Sequence, residues 1–167
     1  MKAVPDALFL VVGDGVDLAR LKSEASKLGL NSAVKFLGKV LAPDLYDIYK
    51  MGDVFVTASE IETQGIVLIE AAASGLPLVA VNAGAVSEIC VDQQNGFLID
   101  IKQEKSKSMI SKLDDMISEA VVMILKDEKL RERFSVNSAK FAQEHDLKIT
   151  LDKFINIYQR VLNHKVK

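Results

Sequence analysis

The 167 residues include 49% hydrophobic and 26% charged side chains, the balance of a soluble globular chain long enough to bury a real core. A formal net charge of -2 gives no electrostatic footprint for nucleic acid, and it disfavours an anionic membrane surface while leaving local basic patches open. One cysteine, Cys90, excludes an internal disulfide, no Cys/His cluster has zinc spacing, and a reducing, cytoplasmic location is the simplest reading.

The opening "MKAVPDALFLVVGDG" holds an apolar stretch too short to span a membrane, and Pro5 and Asp6 break any signal-peptide layout. "ALFLVV" (Ala7 to Val12) predicts a buried strand stopped by Gly13-Asp14-Gly15. Leu18, Leu21, Ala25 and Leu28 have helical spacing, with Gly29 where a helix C-cap favours it. "AVKFLG" predicts a second strand, and "APDLYDIYKMG" a short helix with Pro43 near its first turn. "DVFVTAS", "PLVAVN" and "GFLID" predict three more strands, separated by the helices "GIVLIEAAASG" and "AVSEICV".

Nearly all-apolar strands alternating with helices indicate a doubly wound α/β domain, its parallel sheet covered on both faces. After Asp100 the lysine-rich "IKQEKSKS" reads as a solvated connection to helices only, ending in "LKITLDKFINIYQRVL". There Leu151, Phe154, Ile155, Tyr158 and Leu162 share one face. The expected organisation is one domain over 1–167, an α/β core over 1–101 and a helical part over 102–167.

Two stretches carry candidate chemistry. "VVGDGVDLARL" reads either as a tight strand–helix turn or as a turn offering Gly13 and Gly15 to a phosphate. It is not a dinucleotide fingerprint, because Leu18 stands where the third glycine belongs. The second stretch is "SEIETQGIVLIEAAASG". Glu70 is the single ionisable side chain between Thr63 and Ser87, and burying a carboxylate is costly unless it is paired. A helix starting near Gly65 leaves the amides of Gly65, Ile66 and Val67 as donors, an anion site at the carboxyl ends of the strands. Gly65 is expected to admit the anion closely. Glu62 and Glu70 then flank a ligand with hydroxyls to offer. The plainer reading is a solvated loop acid and a snorkelling or paired Glu70. Asp-x-Asp and His-Glu-x-x-His are missing, so no metal is expected. His145 reads as a surface or helix-end residue, and Cys90 as packing.

Taken in order, "VVGDG", "VKFLGKV" and "YKMGDVFVTASEIETQGIVLIEAAASGLPLVAVNAGAVSEICVDQQNGFLI" resemble the donor-binding domain of retaining GT-B glycosyltransferases of family 4, the group 1 glycosyltransferases. Glu-x7-Glu is matched by Glu62 and Glu70. The resemblance implies transfer of a hexose, with retention, from a UDP- or GDP-linked sugar to a glycan or lipid acceptor, without a metal or other cofactor. It implies that Glu62 contacts donor-sugar hydroxyls near the transfer and that Glu70 holds the ribose. Gly65, Ile66 and Val67 would meet the diphosphate and sugar, Val40 in "GKV" the nucleobase, and Gly13 and Gly15 the back of the cleft. Gln64 stands where many members carry an aromatic, and the Glu-Thr-Gln-Gly variant occurs in some lipid-directed members.

The family's N-terminal acceptor domain, and the first strand and helix of its donor domain with an Arg and a Lys for the diphosphate, have no counterpart in the sequence. The expectation is therefore a fragment without turnover of its own, prone to self-association. A longer enzyme would work in the cytoplasm or at the inner membrane surface. Glu70 is expected to be left unsatisfied while no donor is bound. The alternatives are a non-catalytic α/β assembly module and a nucleotide-sugar epimerase-like GT-B relative.

Overall fold

The computed structural model describes residues 3–100 and 107–164. Most of the lysine-rich connection, 101–106, lies outside the described residues. The chain divides into two compact units, Met1–Met51 and Gly52–Lys167.

In the first unit, β1 (Phe9–Val12) pairs in parallel with β2 (Val34–Gly38), Phe9 opposite Val34 and Val11 opposite Phe36. A parallel pair needs a crossover, and α1 (Leu18–Lys27) supplies it. The helix stops as expected: Leu28 caps it, Gly29 takes φ +69°, and the N–H of Leu30 returns to the Ala25 carbonyl. Helix α2 (Asp44–Met51) closes the unit and buries Tyr49. The expectation of a strand covered on both faces fails at β1, where Leu8 and Phe9 stay 55% and 52% exposed. Among the described residues β1 pairs with β2 alone, and no strand borders its other edge.

The second unit holds a parallel sheet in the order β3 (Phe55–Thr57), β4 (Leu78–Val81), β5 (Gly96–Ile99). Helix α3 (Ile66–Ala73) carries the chain from β3 to β4, and a 3-10 helix (Gly84–Glu88) leads toward β5. The central strand is wholly buried, which explains its unbroken Leu-Val-Ala-Val run. Strand β3 is shorter than "DVFVTAS" suggested, because the Thr57 hydroxyl accepts the Ser59 N–H and the chain turns out of the ladder.

Helices α4 (Lys107–Lys126) and α5 (Glu128–Gln143) complete the core, where Ala120, Ile124 and Phe134 pack with Val79 and Ile99. The Phe97 and Phe134 rings meet edge to face at 5.4 Å. Asp127 caps α5 by accepting the Leu130 N–H. Helix α6 (Leu147–His164) has the amphipathic face read from sequence, yet Leu151, Phe154, Ile155, Tyr158 and Leu162 are all at least half exposed. No helix of the described residues is long and apolar enough to cross a membrane.

Candidate functional site

Beyond β3 the chain loops from Ala58 to Gly65 and enters α3 at the carboxyl end of the sheet. Gly65 is the N-cap, in the left-handed conformation at φ +66°. Its carbonyl accepts the N–H groups of Leu68 and Ile69, so the helix is under way from Ile66. The N–H groups of Ile66 and Val67 precede those first helical bonds, and no bond to either is found among the described residues. Both side chains are exposed.

The Gly65 N–H is already engaged: it donates to Glu62 Oε1 at 3.0 Å. A half-buried carboxylate thus sits at the positive end of α3, where the macrodipole favours an anion. The Glu62 main chain is held as well, its carbonyl accepting the Ala85 N–H at 3.1 Å. Beside that bond Gly84 lies at φ +53°, so close that a Cβ there would overlap the Glu62 carbonyl oxygen. The sequence reading missed Gly84 and Ala85. Their one signal was the glycine itself, just beyond a buried strand.

Two expectations need correction. Gly65 is not kept bare for an approaching anion, because a Cβ there would stand 2.6 Å from Cδ1 of the buried Ile89. Its missing side chain faces the core, and its left-handed φ is the second reason for glycine. Glu70 is not left unsatisfied either. It is half buried on α3 and has a partner, and no buried side-chain N or O atom among the described residues lacks one. Its backbone carbonyl accepts both the N–H and the hydroxyl of Ser74, which closes α3.

Gly13, Gly15 and Val40 belong to the first unit. Gly13, at φ +130°, donates its N–H to the Gly38 carbonyl at 2.8 Å, tying together the carboxyl ends of β1 and β2. The Gly15 N–H is taken by Asp14 Oδ1 at 2.8 Å. Val40 is half buried two residues past β2.

Cys90 is fully buried, its Sγ 3.7 Å from the Phe97 carbonyl oxygen. Burial, with a smaller push from the Asp92 charge, raises its thiol to about 12, so it is no nucleophile. His145 is exposed just past α5, as expected. A cavity of about 410 Å³ lies between the 3-10 helix end at Glu88, Glu144 and α6 residues Lys153 and Phe154. His145 and Phe154 line it, but none of the candidate site residues read from the sequence does.

The family model described as glycosyl transferases group 1 matches residues 1–141. The sulfoquinovosyl transferase SQD2 of Arabidopsis thaliana is 38% identical over 96 residues, 58% of this chain and 18% of that protein. The phosphatidyl-myo-inositol mannosyltransferase of Mycobacterium leprae is 29% identical over 163 residues, 96% of this chain and 40% of that protein. The chain therefore spans well under half the length of these relatives. Among solved structures, the pneumococcal O-GlcNAc transferase GtfA in complex with UDP and GlcNAc superposes with a TM-score of 0.83 at 24% identity, over 96% of this chain and 31% of that one. The lipopolysaccharide glycosyltransferase WaaG gives 0.70 at 25% identity, over 90% and 37%. The fold is that of the GT-B glycosyltransferases, and the chain belongs to the group 1 glycosyl transferases.

Proposed function

We propose that this chain supplies the nucleotide-sugar-binding part of a retaining, family 4 glycosyltransferase that moves a hexose from a UDP- or GDP-linked donor. The observation carrying the reading is the start of α3: Glu62 is fixed against the Gly65 N–H, and the Ile66 and Val67 N–H groups precede the first helical bonds. Glu62 contacts donor-sugar hydroxyls, and the two amides with the helix dipole receive the diphosphate as its charge develops in the leaving group. Glu70 lies one to two turns into the same helix, roughly 8 Å further along at ~1.5 Å per residue, and accepts hydrogen bonds from the ribose. Val40 lies against the base, and Gly13 and Gly15 line the cleft. No metal or other cofactor takes part in the transfer.

Support for a nucleotide donor comes from the UDP in the pneumococcal structure, and for a lipid acceptor from the mannosyltransferase relative and Glu-Thr-Gln-Gly at 62–65. The exposed Leu8 and Phe9 suit a further strand and helix pairing with β1 in a longer enzyme that also carries an acceptor domain. Without them the isolated chain binds donor weakly and does not turn over. Titration calorimetry with UDP, GDP, UDP-glucose and GDP-mannose tests this. Glu70→Ala should weaken nucleotide and nucleotide sugar alike, and Glu62→Gln the sugar form alone. If neither variant changes affinity, the assigned roles are wrong, and robust hydrolysis or transfer by this chain refutes the inactive fragment.

One observation favours a second reading, an assembly module: the apolar face of α6 is exposed along its length. Sedimentation would then show a dimer indifferent to nucleotide, broken by Tyr158→Glu.

A further inference from the structure

The contact between Gly84 and Glu62 joins two loops that are distant in sequence, the one after β3 and the one after β4. Gly84 lies at φ +53°, and a Cβ on it would overlap the Glu62 carbonyl oxygen and stand 3.0 Å from the carbonyl carbon. The next residue, Ala85, donates its N–H to that same oxygen at 3.1 Å. On the other side of the loop the Glu62 side chain reaches Gly65 at 3.0 Å. Glu62 is thereby held at both ends, its main chain by the start of the 3-10 helix and its carboxylate by the start of α3. Among the described residues the one hydrogen bond found to the carboxylate uses Oε1, which leaves Oε2 for a ligand hydroxyl.

We propose that Gly84 is a positioning residue for Glu62: its lack of a side chain lets the Glu62 main chain approach closely enough for the carboxylate to meet the Gly65 N–H and present its second oxygen to the donor sugar. The sugar contact rests on the reading above, but the clamp does not. Any other residue at 84 drives the Glu62 carbonyl away. It also meets the energetic cost of a left-handed backbone. A displacement of about 1 Å breaks a hydrogen bond of this length. Gly84 touches no substrate in this account and acts only through Glu62.

The test has a ligand-free arm. In the wild-type chain the Gly65 amide proton, held by the Glu62 carboxylate, should exchange slowly with solvent, and Glu62→Ala should abolish that protection. Gly84→Ala should abolish it too while the rest of the spectrum stays dispersed. Gly65 protection retained in Gly84→Ala overturns the proposal. Should that variant fail to fold, Ala85→Pro removes the N–H that grips Glu62 at a first-turn position where proline is tolerated. It carries the same expectation and the same refutation.

The second arm compares UDP with UDP-glucose and GDP with GDP-mannose. Gly84→Ala should lower affinity for the sugar-bearing probe by roughly tenfold, leave the bare nucleotide unchanged, and have no further effect in a Glu62→Gln background. An equal loss for both probes marks a merely structural role and overturns the proposal. If the wild type binds none of the four probes, the donor-binding reading fails, and the Gly65 protection still decides whether Gly84 places Glu62.

Discussion

Glu62 Oε1 and the Gly65 N–H lie 3.0 Å apart, so the acid that opens Glu-x7-Glu also ties down the helix on which its partner Glu70 sits. One carboxylate oxygen holds the start of the helix, and no hydrogen bond to the other is found among the described residues. A substitution at 62 can therefore be chosen to break one role without the other.

Glu62→Gln keeps an oxygen that accepts the Gly65 N–H, whereas Glu62→Ala leaves that N–H without its acceptor. Urea denaturation should place the Gln variant within about 0.5 kcal/mol of wild type and the Ala variant about 1 kcal/mol below it. Equal stabilities for the Ala variant and wild type would mean that the bond does not organise the entry to α3.

Gly65→Ala meets two obstacles, a left-handed φ of +66° and the Ile89 Cδ1 atom at 2.6 Å. Ile89 is buried and has little room to retreat. The expected loss is ~1–3 kcal/mol by denaturation, and trimming the obstruction in Gly65→Ala/Ile89→Val should recover part of it. If the double variant shows no such coupling, the steric component is absent and strain at φ alone accounts for the loss.

How legible this was differs from element to element. The glycine followed by an apolar run at 65–69 announced the start of α3, and the unbroken Leu-Val-Ala-Val of β4 announced a buried central strand; both signals are local. The clamp on Glu62 is not local. It depends on the loops after β3 and β4 meeting, which no spacing in "IETQG" or "NAGAV" encodes. Gly65 was legible as a glycine that must be there but misread in its reason, since the neighbour it accommodates, Ile89, lies 24 positions away in the chain. Likewise the apolar periodicities of β1 and α6 foretold strand and helix correctly. Periodicity names a face that wants covering and does not say what covers it, and here Phe9 and Tyr158 remain largely exposed.

Cys90 gives a pH-dependent readout. Burial raises the folded thiol from 9.0 to about 12. Below pH 9 both folded and unfolded states hold the proton, and the contribution to stability is whole. As pH climbs from 9 toward 12 the unfolded thiol ionises while the folded one cannot, so unfolding is favoured. Wild-type stability should fall between pH 8.5 and 10.5 by more than that of Cys90→Ala, each compared with its own value at pH 8. Ellman's reagent should modify Cys90 only as fast as the chain opens, and rapid modification of native protein at pH 8 would contradict its burial.

Arg131 separates a hydrogen-bonding role from an ion-pairing one. Its Nη1 donates to the carbonyl oxygens of Ile124 and Leu125 at 3.3 and 3.2 Å, in the last turn of α4, where helical acceptors run out. Its Nε stands 3.7 Å from Asp53 Oδ1, with the Arg131 side chain 27% exposed and that of Asp53 67% exposed. A long ion pair with one partner in water contributes little, whereas uncapping two carbonyls in a partly buried helix end costs more. Asp53→Ala should therefore change stability by less than ~0.5 kcal/mol and lose even that in 1 M salt. Arg131→Ala should cost ~1–2 kcal/mol with little salt dependence. Comparable losses for the two variants would show that the charge pair, and not the cap on α4, fixes Arg131.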